Sequence, residues 1–89
     1  MQYSIYEHKD ASKFRKKHQN NRELIKRILL KYNEIKQNPN NPQFKKLKSN
    51  KCPKCKRARV GNYRIIFFIS QNNIEIVSII YRKDNYSKY

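Results

Sequence analysis

Between Arg57 and Tyr86 the chain reads RARVGNYRIIFFISQNNIEIVSIIYRKDNY, and this stretch constrains the fold more than any other. It holds most of the β-forming residues, the only glycine and four arginines. Arg57 and Arg59 alternate with Ala58 and Val60, the period of a strand with unlike faces. Gly61-Asn62 then offers a tight hairpin turn. Residues 63–70 and 74–82 are apolar on both faces, as strands covered on both sides are. Gln71-Asn72-Asn73 separates them as a second hairpin. A three-stranded antiparallel meander is expected.

Loop length fixes register. A two-residue loop at Gly61-Asn62 pairs Val60 with Tyr63, Arg59 with Arg64 and Arg57 with Ile66. A three-residue loop at Gln71-Asn72-Asn73 pairs Ser70 with Ile74 and sets Arg64 opposite Ile80, with Arg82 one pleat further on. Arg57, Arg59, Arg64 and Arg82 then share one face. Tyr63, Ile65, Phe67, Ile69, Val77 and Ile79 make the bed for helices on the other. A two-residue loop at Asn72-Asn73 would send Arg82 to the helix side, where an unpaired guanidinium is costly; the three-residue loop is therefore expected. Cations gathered on one sheet face repel one another, which no packing argument explains and an anionic ligand does.

Ahead of this stretch, residues 2–6 alternate with Tyr3 and Ile5 on one side, a short first strand. Asp10 or Ser12 is placed to cap a short helix that turns Ala11 and Phe14 inward, with His18 on the same stripe as a surface or half-buried residue. Asn21 caps a second helix, Arg22 to Lys36, whose stripe is Leu24, Ile25, Ile28, Leu29, Tyr32 and Ile35. Pro39 and Pro42 end it. Phe44 and Leu47 are expected to pin a turn or short helix against the core. The chain thus reads as one α+β domain over residues 1–89: an N-terminal strand, a helical hairpin, then the meander.

With 89 residues, a net charge of +16 and a pI near 10.2, this small domain suits a polyanionic partner. No stretch is long and apolar enough to span a bilayer and the start is unlike a signal peptide, so no membrane partner and a cytoplasmic location are expected. The six acidic residues, Glu7, Asp10, Glu23, Glu34, Glu75 and Asp84, are scattered, whereas two-metal phosphodiester chemistry needs grouped carboxylates. No cofactor is expected. RNA offers a metal-free route, because its 2′-OH is an internal nucleophile once positioned, deprotonated and given a stabilised phosphorane. Arginine forks match phosphate oxygens. Tyr86, four residues after Arg82, would lose its proton more readily among arginines, or stack on a base.

RARVGNYRIIF followed by IEIVSIIYRKDNY resembles the RelE/ParE superfamily of toxins from toxin–antitoxin pairs. Arg59, Gly61, Tyr63 and Arg64 carry its R-x-G-x-Y-R hairpin; Arg82, Lys83, Asp84 and Tyr86 carry its R-K-D-x-Y ending. The resemblance, which extends over nearly the whole chain, implies an mRNA endonuclease of the RelE-like branch that enters the ribosomal A site and cuts the codon there. It implies that Arg64 and Arg82 stabilise the phosphate and that Tyr86 stacks on the message or helps proton transfer. Basic residues two apart precede the hairpin in the family: Arg57 and Arg59 fit ungapped, Lys54 and Lys56 if the loop differs. Lys54, Lys56 and Lys83 are then RNA-binding cations. The implied partner is a RelB-like acidic antitoxin. Tyr81 stands where many relatives carry histidine or a small polar residue, which leaves the general base unassigned. The alternatives are a ParE-like gyrase-inhibiting toxin and a non-catalytic nucleic-acid-binding module. Cys52-Pro53-Lys54-Cys55 is expected to hold free thiols, ahead of half a zinc site completed by His8, His18 or a second chain, and ahead of a redox pair.

Overall fold

The computed structural model describes residues 3–47 and 51–82. Strand β1 (Ser4–Glu7) runs straight into α1 (Lys9–Lys17), and α2 (Arg22–Gln37) completes the helical hairpin. Then come β2 (Lys45–Lys46), β3 (Lys56–Val60), β4 (Tyr63–Ser70) and β5 (Asn73–Tyr81). They form one five-stranded sheet in the order β1-β5-β4-β3-β2. Strand β1 lies parallel to β5, and the other neighbours are antiparallel.

Helix α2 forms where its pattern predicts, but Leu29, counted on the buried stripe, lies at its edge and is exposed. The Asn21 side chain accepts a hydrogen bond from the Leu24 N–H at 3.2 Å, a cap whose loss typically costs about 1 kcal/mol. Leu24, Ile28, Tyr32 and Ile35 are buried, whereas Leu29 (46%) and Leu30 (56%) stay exposed. Helix α1 begins earlier than expected. His8 is its N-cap and no side chain caps it, in place of Asp10 or Ser12. The His8 N–H still donates to Ile76 C=O at 2.8 Å, so the chain leaves the sheet directly into the helix. Phe44 and Leu47 are buried as expected, but the segment between them is the strand β2, pairing Lys45 with Arg57 and Lys46 with Lys56.

The helices cover one face of the sheet. Ile28, Ile35, Ile65, Phe67, Ile74 and Ile76 are fully buried in the main core, each contributing about 1.5–3 kcal/mol by removal from water. A smaller core lies on the opposite face, where Leu47 and Cys55 cover Ile66 and Ile80.

The β4–β5 hairpin departs from expectation twice, with cancelling effect. Its loop has two residues, Gln71 and Asn72, so Ser70 pairs with Asn73 and not with Ile74. Further along, the register shifts between Ile66 and Phe67: Phe67 pairs with Ile76 and Ile66 with Ser78, leaving Val77 as an extra residue in β5. Beyond the bulge, Arg64 stands opposite Ile80, the pairing expected from the longer loop. Val77 itself packs with the second core and not, as expected, beneath the helices.

Glu7 ties β1 to both helices. Its carboxylate accepts from Arg15 Nε (2.6 Å) and Nη2 (2.7 Å), from the Tyr32 hydroxyl (2.8 Å) and from Ser12 Oγ (3.4 Å). Burial alone would raise the Glu7 pKa, but the hydrogen bonds from Arg15 and Tyr32 outweigh it and hold the group below its ordinary value of 4.5. Burial, then the bond to Glu7, push the Tyr32 phenol well above its ordinary 10. No helix among the described residues is long and apolar enough to cross a membrane.

These contacts make stability depend on pH at both ends. Glu7, with its pKa lowered on folding, contributes stability that is present above the ordinary carboxylate range and lost as pH falls through the folded value; Tyr32, with its pKa raised, contributes stability lost as pH rises above about 10. Urea denaturation across pH is expected to show Glu7→Gln destabilised by about 1–3 kcal/mol with a flatter acid limb, and Tyr32→Phe with a flatter alkaline limb. Gln71 holds a left-handed conformation (φ 55°), so Gln71→Gly is expected to raise stability by roughly 1 kcal/mol in the same assay.

Candidate nucleic-acid interface

Strand alternation sorts the basic residues by face. In β3, Lys56, Ala58 and Val60 pair with Phe67, Ile65 and Tyr63, which belong to the helix side. Arg57 and Arg59 therefore point to the other side, opposite Ile66 and Arg64. In β5, Ile80 shares that face with Arg64. The Arg82 N–H donates to Asn62 C=O at 2.7 Å, which extends the ladder in the same register and sets Arg82 two residues past Ile80. Arg57, Arg59, Arg64 and the Arg82 position thus meet around the β3–β4 hairpin, with Arg59 and Arg82 exposed and Arg57 and Arg64 half-buried.

Arg59 and Arg64 are direct cross-strand neighbours, an arrangement that costs a sheet stability when the charges are alike. No acid among the described residues pairs with either arginine. Among the described residues the ion pairs are His8–Glu75, Arg15–Glu7 and Lys31–Glu34, none of which includes an arginine of this cluster. Beside the cluster, where the short β2 leaves the edge of β3, lies a cleft of about 630 Å³ lined by Lys31, Phe44, Lys45, Arg57 and Arg59. Arg27 of α2 reaches the hairpin tip from the helix side. A Cβ at Gly61 would stand 3.3 Å from its Nη1, and Gly61 itself has φ 57°.

The remaining candidates fall elsewhere. Lys54 lies over the Phe68 ring, 4.3 Å from its centroid, on the arginine side of the sheet but at the far end of β4. Lys56 is on the helix side and reaches Pro39 C=O at 3.4 Å and Asn40 Oδ1 at 3.2 Å, bracing the loop after α2. Tyr86 and Lys83 lie outside the described residues. Tyr81 pairs with Tyr63 on the helix side, their rings edge to face at 5.5 Å.

The expectation of free thiols is corrected: Cys52 and Cys55 form a disulfide. Cys55 N–H donates to Cys52 C=O at 3.1 Å, a turn that brings the two sulfurs together. A zinc half-site is corrected with it, because neither sulfur is then a thiolate ligand. Among the described residues no group of three His, Cys, Asp or Glu side chains is arranged to hold a metal ion.

Two neighbours of the site and one more distant pair escape sequence reasoning. A two-residue strand has too little length to show a period, so nothing marked Lys45 as a partner of Arg57. Arg27 sits on what reads as the solvated side of α2. His8 and Glu75, joined at 2.8 Å, are 67 residues apart. This dyad is no base for a phosphate held by Arg64: Glu75 stands opposite Phe68, four residues and about 13 Å along β4 from Arg64, far outside proton-transfer reach.

A strand, a helical hairpin and an antiparallel meander with a basic face define the RelE/ParE-like α+β fold. The chain belongs to this toxin superfamily: residues 5–86 match the family model described as the ParE toxin of the type II toxin–antitoxin system parDE. Among solved structures it resembles the YoeB dimer of Staphylococcus aureus, at 24% identity and TM-score 0.77, over 91% of this chain and 98% of that one. It also resembles the toxin–antitoxin complex RelBE2 of Mycobacterium tuberculosis, at 19% identity and TM-score 0.68, over 92% and 100% of the two chains. At these identities the likeness is one of fold. No curated protein matches the chain.

Because Gly61 combines a left-handed backbone with the Arg27 contact, Gly61→Ala is expected to cost about 1–2 kcal/mol by thermal or urea denaturation. Gly61→Asn is expected to cost less, since asparagine tolerates this conformation.

Proposed function

We propose that this toxin is a ribosome-dependent mRNA endonuclease that uses the substrate's own 2′-OH as nucleophile. The observation that carries the reading is the convergence of Arg57, Arg59, Arg64 and the Arg82 position on one sheet face, with no carboxylate partner among the described residues. In-line attack of the 2′ oxygen on the adjacent phosphorus places extra negative charge on the non-bridging oxygens. Guanidinium groups fixed on a rigid sheet stabilise that charge more than they stabilise the ground-state diester, which is what accelerates the step. Arg64 and Arg82 are assigned this role. Arg57 and Arg59 hold the backbone, and Lys45 and Lys31 extend the positive track into the neighbouring cleft. Lys54 and Lys83 add RNA contacts, and Tyr86 stacks on the message or passes the proton.

The same charge supports an acidic antitoxin as partner. Opposite fields steer association and neutralise the repulsion among the arginines. A second reading, a gyrase-inhibiting toxin, is favoured by one observation, the match to a ParE model.

Purified toxin added to a translation extract separates the two. Ribosome-bound message is expected to be cut, naked RNA to survive and gyrase supercoiling to proceed unhindered. Arg64→Ala and Arg82→Ala are expected to lower cleavage roughly 10²–10³-fold while leaving the unfolding midpoint nearly unchanged, since neither anchors the core. Intact message with folded wild-type toxin contradicts the endonuclease, and inhibition of gyrase in the parallel arm would establish the second reading.

A further inference from the structure

The face that carries the arginines also carries the Cys52–Cys55 disulfide, and the two are mechanically linked. Cys55 is fully buried beside Leu47, Ile66 and Ile80, while Cys52 packs at the margin, half-buried. Ile66 stands opposite Arg57 and Ile80 opposite Arg64. Between the two cysteines, Lys54 is held with its Nζ over the Phe68 ring. Leu47 N–H donates to Cys55 C=O at 2.8 Å, which fixes one end of the loop to β2.

We propose that Cys52–Cys55 is a reversible redox-modification site for small anionic thiols and their disulfides, and that its state sets whether Lys54 is held on the interface face. The exposure difference dictates the order of events. An external thiolate attacks the accessible Cys52 Sγ; the bond between the protein sulfurs breaks and Cys55 leaves as thiolate, taking a proton from solvent. A second external thiolate then attacks the external sulfur of the mixed disulfide, releasing the small-molecule disulfide and the Cys52 thiolate, which is protonated. Overall, the protein disulfide and two thiols give a protein dithiol and one small disulfide, a two-electron exchange. The strongly positive chain attracts an anionic thiol such as glutathione. The backbone turn from Cys55 N–H to Cys52 C=O keeps the two sulfurs adjacent after reduction, so the reverse reaction is favoured by proximity.

Reduction changes the packing at this place. Two sulfurs at bonding distance become two thiols at van der Waals distance. Cys55 is enclosed by Leu47, Ile66 and Ile80, so Cys52 is the one that moves outward, and the Pro53-Lys54 segment moves with it. Lys54 is then released from Phe68. None of this depends on which target the toxin acts on.

The test uses the full-length protein equilibrated in glutathione buffers of graded ratio, quenched by alkylation and weighed by mass spectrometry. A reversible gain of two alkyl groups is expected while the circular dichroism spectrum stays folded. Cys55→Ala is expected to trap glutathione on Cys52, and Cys52→Ala is expected to take up far less on Cys55. The acylation rate of Lys54, read by peptide mass spectrometry, is expected to rise roughly two- to five-fold on reduction, the worth of an exposed cation–π contact. Reduction only on unfolding, equal glutathione uptake by the Cys55→Ala and Cys52→Ala variants, or an unchanged Lys54 rate in folded reduced protein would each overturn the proposal.

Discussion

One extra residue in β5 decides whether the Arg82 position joins the face that Arg57, Arg59 and Arg64 share. Carried on unbroken, the register of the two-residue turn at Gln71-Asn72 would set Arg64 opposite Ile79, on a strand slipped by one. Val77, bulged opposite the Ile66–Phe67 step, restores the count and brings Ile80 to that place. On one side of the bulge Ile74 and Ile76 enter the main core; on the other, Ile79 does so too. Without the bulge a single strand could not put all three beneath the helices, because side chains alternate strictly. The bulge therefore serves packing and site geometry at once.

The charge distribution divides along the same lines. Of the acids described, Glu7 is committed to Arg15 and Tyr32, Glu75 to His8 and Glu34 to Lys31. The first two hold the β1 end of the sheet and the helices together, and the third lies within α2. At the hairpin end no ion pair among the described residues engages Arg57, Arg59, Arg64 or Arg82, and the repulsion falls on the β3–β4 ladder. Glu7 joins three elements, and the unbalanced charge lies where the proposed function would bring an anion. The disulfide loop lies between these ends, covering the apolar middle of the face.

Much of this was legible in the sequence where a periodic signal was long. The α2 stripe and its Asn21 cap, the Gly61-Asn62 turn and the whole β3–β4 register came from patterns of ordinary strength. The β4–β5 register matches the expected one only from Ile66 to Tyr63, through two compensating departures, and is one residue off from Phe67 to Ser70; a bulge leaves no mark in so apolar a run. Strand β2 was too short to show alternation. The start of α1 was set by a sheet hydrogen bond of His8, which no capping rule anticipates. The state of Cys52 and Cys55 depended on whether the backbone between them turned tightly, and spacing alone does not decide that. His8–Glu75 and Arg27–Gly61 are contacts across the fold, visible only once it is assembled.

The central claim is that the cluster of Arg57, Arg59 and Arg64 is an anion-binding face. It is tested most directly by following arginine side-chain Nε–H resonances while a 2′-deoxy-blocked oligoribonucleotide is titrated into the protein. The Arg59 and Arg64 signals are expected to move together while the exposed Leu29–Leu30 side of α2 stays still, and binding is expected to weaken linearly in log–log form as salt is raised. Shifts centred on α2, with Arg59 and Arg64 unmoved, would contradict it.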